Sequence, residues 1–319
     1  MQKILITGGA GFIGSHLANK FSKFKKTNIT IVDNLSTGNM KNLNGFEGEF
    51  VNGDIRDSSL IDALVSSSDI VLHMAAALGV KNIMEDTVNS ISTNILGSEV
   101  VLLSAAKHKK RIIIASSSEV YGKNPKQPLK EDDDRVLGTP QNFRWSYSDS
   151  KAIEESIARV LFLNEELPVT TLRFFNTIGT RQTGQYGMVV PRFVKAAISG
   201  EELEVHGTGE QTRVFCNVSD VVSAVEGVLD SDVTLGEVYN VGGFGEISIM
   251  DLARKVIDLT DSKSKIVTLP YSEAYPAGYE DMLRRVPDSN KLKSAIGWEA
   301  KVSLESSILE IAAEINQTK

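Results

Sequence analysis

The sequence predicts an α/β fold, a doubly wound parallel sheet with a smaller, discontinuous C-terminal region suited to substrate. Three observations carry that prediction. Short apolar runs rich in β-branched residues alternate with longer segments of helical spacing, the order expected of parallel βαβ units. A glycine-rich turn joins the first run to the first helical segment. After Asn176 the alternation is lost, and Gly and Thr punctuate residues 177–212.

The runs at 4–7, 29–32, 49–51, 70–73, 112–115 and 169–174 are too short for helices, and their near-continuous hydrophobicity suits strands buried on both faces. Helical spacing at 12–24, 58–65, 88–107 and 148–162 supplies the crossovers, which right-handed connection spreads over both faces of the sheet. Further on, 218–229 reads as a helix and 238–241 as a strand returning to the sheet. Residues 249–259 read as a helix, 270–287 as a loop and 304–315 as a closing helix. The expected division is one unit at 1–176, with a return segment at about 214–243, and a second at 177–213 and 244–319.

The 319 residues are 41% hydrophobic and 24% charged, enough to bury a large core, and the net charge of −7 gives no general attraction for nucleic acid. No apolar run approaches the roughly 20 residues of a membrane helix, and the first residues do not read as a signal peptide, so a cytoplasmic protein is expected. The single cysteine, Cys216, reads as a small core residue. The basic run 107–111 reads as cations at a helix C-terminus and the acidic run 131–134 as a solvated loop. His16, His73, His108 and His206 are scattered without zinc-type spacing, so no metal is expected.

The first strand leads into Gly8-Gly9-Ala10-Gly11-Phe12-Ile13-Gly14 and then a helix. At such a turn Gly8 permits tight bending, Gly11 lets backbone approach a pyrophosphate, Gly14 lets helix and strand pack closely, and the helix N-terminus offers N–H groups to the anion. The second strand ends in Asp33-Asn34, where a carboxylate can accept hydrogen bonds from both ribose hydroxyls and repel a 2′-phosphate, which favours NAD over NADP. After the third strand, Asp54 and Ile55 could meet an adenine ring, or Asp54 could simply close a turn. Beyond the fifth strand stand Ser117 and Glu119, and a helix opens around Tyr147 and Lys151, which four-residue spacing puts on one face. For Tyr147 to act as a base near neutral pH its phenol must be lowered by about 3 units, roughly 4 kcal/mol. Lys151 can supply part of that, and Ser117 can hold the reacting oxygen.

These motifs resemble those of the extended short-chain dehydrogenase/reductase family, in particular its nucleotide-sugar epimerases, decarboxylases and dehydratases. The likeness rests on TGGAGFIGSHL (7–17), VDNLSTG (32–38), GDIRD (53–57), HMAA (73–76), SSSEVYG, YSDSK, RFFNTIG (173–179), GTGEQTRVF (207–215) and RRVPD (284–288). It implies a Rossmann-like, NAD-binding enzyme that oxidises a sugar hydroxyl, usually at C4, and returns the hydride after a further step. By position it implies Phe12, Ile13 and Ala75 as further cofactor contacts, Tyr147 as base, Lys151 as its partner and ribose ligand, and Ser117 as the hydroxyl that orients the sugar oxygen. It likewise implies that Asn176 holds the nucleotide diphosphate, that Arg213 and Arg285 clamp phosphates, and that Val190 and Arg192 lie beside a pyrimidine base. A homodimer joined through 88–107 and 148–162 is also implied.

Glu119 points the same way as Ser117 in an extended stretch and can enter the sugar pocket, or stand near it structurally. The dehydratases that act on deoxythymidine-diphosphate sugars carry Thr-Asp-Glu where this chain has Ser117-Ser118-Glu119, whereas UDP-glucuronate decarboxylases and GDP-mannose dehydratases show a Thr-Ser-Glu pattern, which fits except for Ser in place of Thr. The whole pattern is most similar to UDP-sugar 4-epimerases, with decarboxylase-like detail at Glu119 and Arg285. A UDP-sugar 4-epimerase is therefore the first expectation and UDP-glucuronate decarboxylase the second, ahead of a 4,6-dehydratase or a catalytically silent NAD-binding protein. Ser146 stands in place of a frequent proline and Met74 in place of a frequent leucine, so sugar specificity does not carry across.

Overall fold

The computed structural model describes residues 2–79, 86–184, 188–275 and 280–317. Its centre is β1 (Gln2–Thr7), flanked in parallel by β2 (Thr27–Asp33) and β4 (Ile70–His73). Outward lie β3 (Glu49–Asn52) on one side, and β5 (Arg111–Ser117), β6 (Val169–Phe174) and β7 (Val238–Val241) on the other. The order is β7-β6-β5-β4-β1-β2-β3 with every neighbour parallel, so strand order reverses between β1 and β4. In such sheets the crevice at the carboxyl ends of those two strands is where ligands bind.

Both faces are covered, which is why the strands read as unbroken apolar runs. On one face α1 (Phe12–Phe21) and α7 (Val218–Leu229) set Leu17, Phe21, Val221 and Val225 against Ile6 and Ile31. On the other, α2 (Ser58–Ser66), α4 (Ser98–Lys107) and α5 (Ser146–Glu165) set Ile61, Val65, Leu102 and Leu161 against Leu5, Val32 and Ile114. A third core joins α6 (Val189–Ser199), α8 (Ile249–Leu259) and the closing helix Leu304–Gln317 through Phe193, Leu252 and Ile308. Leu292 and Trp298 leave that second region and pack beneath the sheet, so the stretch just before the closing helix returns to the first core.

Several elements differ from the sequence expectation, each for a local reason. The expected helix 88–107 is α3 (Thr87–Ser92) and α4 separated by a π-helical turn, Thr93–Gly97. The wider turn delivers Asn94 to the loop after β4, where its amide both accepts from Ala77 N at 2.8 Å and donates to Ala77 O at 2.9 Å. Helix α6 lies in the stretch where no element was expected, its Pro191 tolerated because it falls in the first turn. Within the expected loop 270–287, Arg284–Arg285 forms a short strand parallel to Thr212–Arg213, pairing Arg285 with Arg213. The acidic run is not wholly solvated, because Glu131 Oε1 accepts from Asn240 N at 2.8 Å in β7. In the basic run, Lys107 pairs with Asp62 at 2.9 Å, while Arg111 donates to Val228 O and Ser231 O at the end of α7. Cys216 is fully buried, and burial pushes its thiol pKa up.

Candidate active site

A cavity of about 1050 Å³ opens over the carboxyl ends of the sheet. That exceeds the roughly 300–1,000 Å³ of ordinary single-ligand pockets. Of the sequence-predicted residues, Gly8, Gly11, Phe12, Ile13, Gly14, Asp33, Asn34, Ile55, Ala75, Ser117, Glu119, Tyr147, Lys151, Asn176, Val190, Arg192, Arg213 and Arg285 all line it.

At the β1 end, Gly8 has φ +68°, and a Cβ there would lie 2.7 Å from Ala75 backbone; one on Gly14 would lie 2.2 Å from Gly8 O. The turn is closed to larger residues at both points. Helix α1 begins with Gly11 as N-cap and no side-chain cap, so its first-turn N–H groups have no carboxylate or hydroxyl of their own at that end. Asp33 Oδ2 accepts from Ala10 N at 2.9 Å and Oδ1 from Leu35 N at 2.8 Å; burial raises its pKa, and these N–H groups pull it back. Asn34 lies beside it and donates to Asp54 Oδ2 at 3.2 Å. Asp54 is engaged within the chain. Its oxygens are taken by Arg56 Nε at 2.9 Å and Nη2 at 2.7 Å, Arg56 holds its pKa down at about 2, and Ile55 and Arg56, not Asp54, line the cavity. An anion-seeking helix end, a cradle only glycine fits and a fixed carboxylate on the next strand together suit a dinucleotide.

At the β5 end, Ser117 caps the short turn Ser118–Tyr121, its Oγ accepting from Glu119 N at 3.2 Å. Tyr147 and Lys151 stand one turn apart on α5. Burial raises the Tyr147 pKa; Lys151 and a hydrogen bond with Ser117 lower it, while Glu119 and Glu154 raise it. Lys151 is 1% exposed and donates from Nζ to Glu154 Oε2 at 2.7 Å. Burial opposes its charge, but Glu154 and Tyr147 outweigh that and raise its pKa. Sequence reasoning did not find Glu154, although it lies three residues beyond Lys151 and so on the same helix face.

Glu119 is clasped by two arginines, with Oε1 2.7 Å from Arg285 Nη1 and Oε2 2.8 Å from Arg144 Nη1. Burial disfavours its charge, but Arg144 and Arg285 overcome this and hold its carboxyl well below the usual range. Arg285 was expected to clamp a phosphate. Its guanidinium instead turns to Glu119 and to Ser118 Oγ at 3.2 Å, while its strand partner Arg213 turns to Asp281 at 2.7 Å. Arg285 Nε is buried with no hydrogen-bond partner among the described residues. Arg144 was missed by the sequence reading, although it stands one turn before Tyr147.

Toward α6, Asn176 Nδ2 donates to Val214 O at 2.9 Å and Val190 is fully buried. Arg192 Nη1 donates to His206 Nε2 at 2.8 Å, and His206 Nδ1 lies 3.0 Å from Tyr275 Oη. Burial, with Arg192, brings His206 down to about 4, so the ring is neutral at physiological pH.

Fold and site together define an extended short-chain dehydrogenase/reductase that uses NAD to modify a nucleotide sugar. Within that class the chain belongs to the family described as GDP-mannose 4,6 dehydratase, whose model matches residues 5–311. It is 43% identical over 312 residues to a UDP-N-acetyl-alpha-D-glucosaminuronate decarboxylase of Bacillus cytotoxicus, covering 97% of this chain and 96% of the relative. To UDP-glucuronic acid decarboxylase 1 of Xenopus tropicalis it is 35% identical over 309 residues, covering 96% of this chain and 70% of the relative. Its fold matches UDP-glucuronic acid 4-epimerase from Bacillus cereus, solved with UDP-glucuronic acid and NAD, at TM-score 0.90 and 25% identity over 100% of both chains.

Proposed function

We propose that this enzyme decarboxylates a UDP-hexuronate, with UDP-N-acetylglucosaminuronate the first candidate and UDP-glucuronate the second. The observation that carries the reading is the Arg144–Glu119–Arg285 cluster, two guanidinium groups on one carboxylate, which leaves a net charge of +1 beside Ser117 and Tyr147. A neutral hexose has no use for that charge; a C6 carboxylate does. The 43% identity to a uronate decarboxylase supports the same choice.

Gly8, Gly11, Phe12, Ile13 and Gly14 hold the NAD pyrophosphate, Asp33 its adenosine ribose, and Lys151 the ribose next to the nicotinamide. When bound, NAD accepts the C4 hydride and later returns it. Tyr147 takes the proton of the C4 hydroxyl as the ketone forms, helped by the Lys151 charge, and Ser117 holds the C4 oxygen. The ketone is β to the carboxylate, so the C5–C6 bond breaks with its electron pair passing to an enolate at the C4 oxygen, and carbon dioxide leaves. Ser117 and Tyr147, then protonated, stabilise that oxygen; C5 takes a proton from solvent water, and Tyr147 returns its own as the hydroxyl re-forms. Arg213 and Asn176 hold the diphosphate, and Val190 and Arg192 flank the base.

The second reading is 4-epimerisation, which the likeness to the uronate 4-epimerase favours. An epimerase must turn its ketone over within the pocket. A sugar held by cations at both C6 and the diphosphate resists turning, so the cluster argues for decarboxylation. The protein incubated with NAD and each UDP-hexuronate gives a product lighter by carbon dioxide; a new peak of unchanged mass means epimerisation and overturns the proposal. Tyr147→Phe retains NAD binding and loses turnover by about 10²–10⁴-fold. Exposed Leu103, Val160 and Leu163 on α4 and α5 fit a second copy of the chain, which sedimentation tests by returning a dimer mass.

A further inference from the structure

Behind Lys151 a buried chain of polar groups crosses the top of the sheet. Ala75 N donates to Thr7 Oγ1 at 3.2 Å, and Thr7 Oγ1 lies 2.7 Å from His73 Nδ1. His73 Nε2 lies 2.9 Å from Ser98 Oγ and 3.9 Å from Glu154 Oε1, and Glu154 Oε2 accepts from Lys151 Nζ at 2.7 Å. Thr7, His73 and the Lys151–Glu154 pair are at most 2% exposed, so solvent does not screen them. Both ring nitrogens of His73 meet hydroxyls, Nδ1 that of Thr7 and Nε2 that of Ser98. Burial, with Lys151 nearby, brings His73 down to about 3, so the ring is neutral.

We propose that Glu154 is a positioning residue that fixes Lys151 and, by cancelling part of its charge, sets the pH at which Tyr147 becomes active. One ammonium N–H is tied to Glu154, leaving two for Tyr147 and the cofactor ribose. The cost is that a carboxylate stands behind the cation that Tyr147 depends on. The inference rests on the Tyr147 role proposed above. Other charged groups face the pair as well: Glu119, with Arg144 and Arg285, from the turn after β5, His73 from β4, and Glu155 on α5 with its partner Arg173 from β6. Among these carboxylates only Glu154 touches Lys151 directly in the described structure.

Glu154→Gln keeps the shape and removes the charge, whereas Glu154→Asp keeps the charge. In the NAD-loaded enzyme, tyrosinate absorbance is titrated with Tyr147→Phe as the blank, and the acid limb of kcat is measured alongside it. Both move down by about one pH unit in Glu154→Gln, the scale for losing a nearby like charge. Both stay near their wild-type positions in Glu154→Asp, and the KM for the nucleotide sugar changes less than about twofold in each. If both limbs stay in place, or move upward, in Glu154→Gln, Glu154 is only structural and the inference is overturned. If Glu154→Gln does not fold, Glu154→Met removes the same charge: an acid limb that moves down by the same amount supports the inference, and an unmoved limb overturns it. Retained turnover in Tyr147→Phe would instead refute the functional reading on which it stands.

Discussion

Arg144→Met tests whether the paired arginines read a sugar carboxylate. In the wild-type cluster, Arg144 and Arg285 carry two positive charges against the one negative charge of Glu119. The substitution takes the net charge from +1 to zero, while Glu119 keeps Arg285 at 2.7 Å and is not left as an unpaired buried charge. Two unit charges about 4 Å apart at an effective dielectric of about 20 attract by about 4 kcal/mol, part of which desolvation cancels. A lost hydrogen bond to a charged group is worth about 1.5–3 kcal/mol. A net loss of about 2–3 kcal/mol corresponds to roughly 30- to 150-fold weaker binding of UDP-glucuronate. UDP-glucose, which lacks the carboxylate, changes by no more than about twofold. Calorimetric titration of both ligands into the NAD-loaded protein measures the two values side by side. Equal weakening of both, or of neither, refutes the claim that the cluster recognises C6.

Two further outcomes follow from buried geometry. Gly14→Ala places a Cβ 2.2 Å from Gly8 O, so the glycine turn must open; NAD affinity falls at least about tenfold, read by fluorescence titration, and an unchanged affinity would refute the tight-turn role. His73 is neutral in the folded chain down to about 3 but takes up a proton near 6.5 once unfolded. Between those values the unfolded chain binds more protons, so stability is full above 6.5 and falls with decreasing pH by up to about 1.4 kcal/mol per unit from this residue. Denaturant melts of wild type and His73→Asn at a series of pH values give a shallower acid slope in the variant, and parallel slopes would refute the assignment.

Periodic and local features were legible in the sequence. The seven sheet strands, the glycine turn and the Tyr147–Lys151 pair follow from period, spacing and the chemistry of the residues involved. What escaped was set by tertiary contact. The π turn answers to a backbone group at Ala77, and the two-residue strand at Arg284 exists only because Thr212 lies beside it. The charge state of Glu119 depends on Arg144 and Arg285, 25 and 166 residues away, so no local window contains the cluster. Asp54 shows the converse, since its nearest suitor, Arg56, is two residues away and a sequence motif says nothing about which partner wins.

The pairing of Arg285 with Arg213 also bears on how the enzyme is made. Synthesis runs from the N-terminus, so β7 at Val238–Val241 completes the parallel sheet well before Arg285 leaves the ribosome. For that interval the nascent chain has Glu119 and Arg144 but not the second guanidinium, and the strand pairing that delivers it has yet to form. The cofactor end of the cavity is thus drawn from the first part of the chain and the sugar end from both, so a chain cut after Val241 carries the Glu119–Arg144 pair without Arg285.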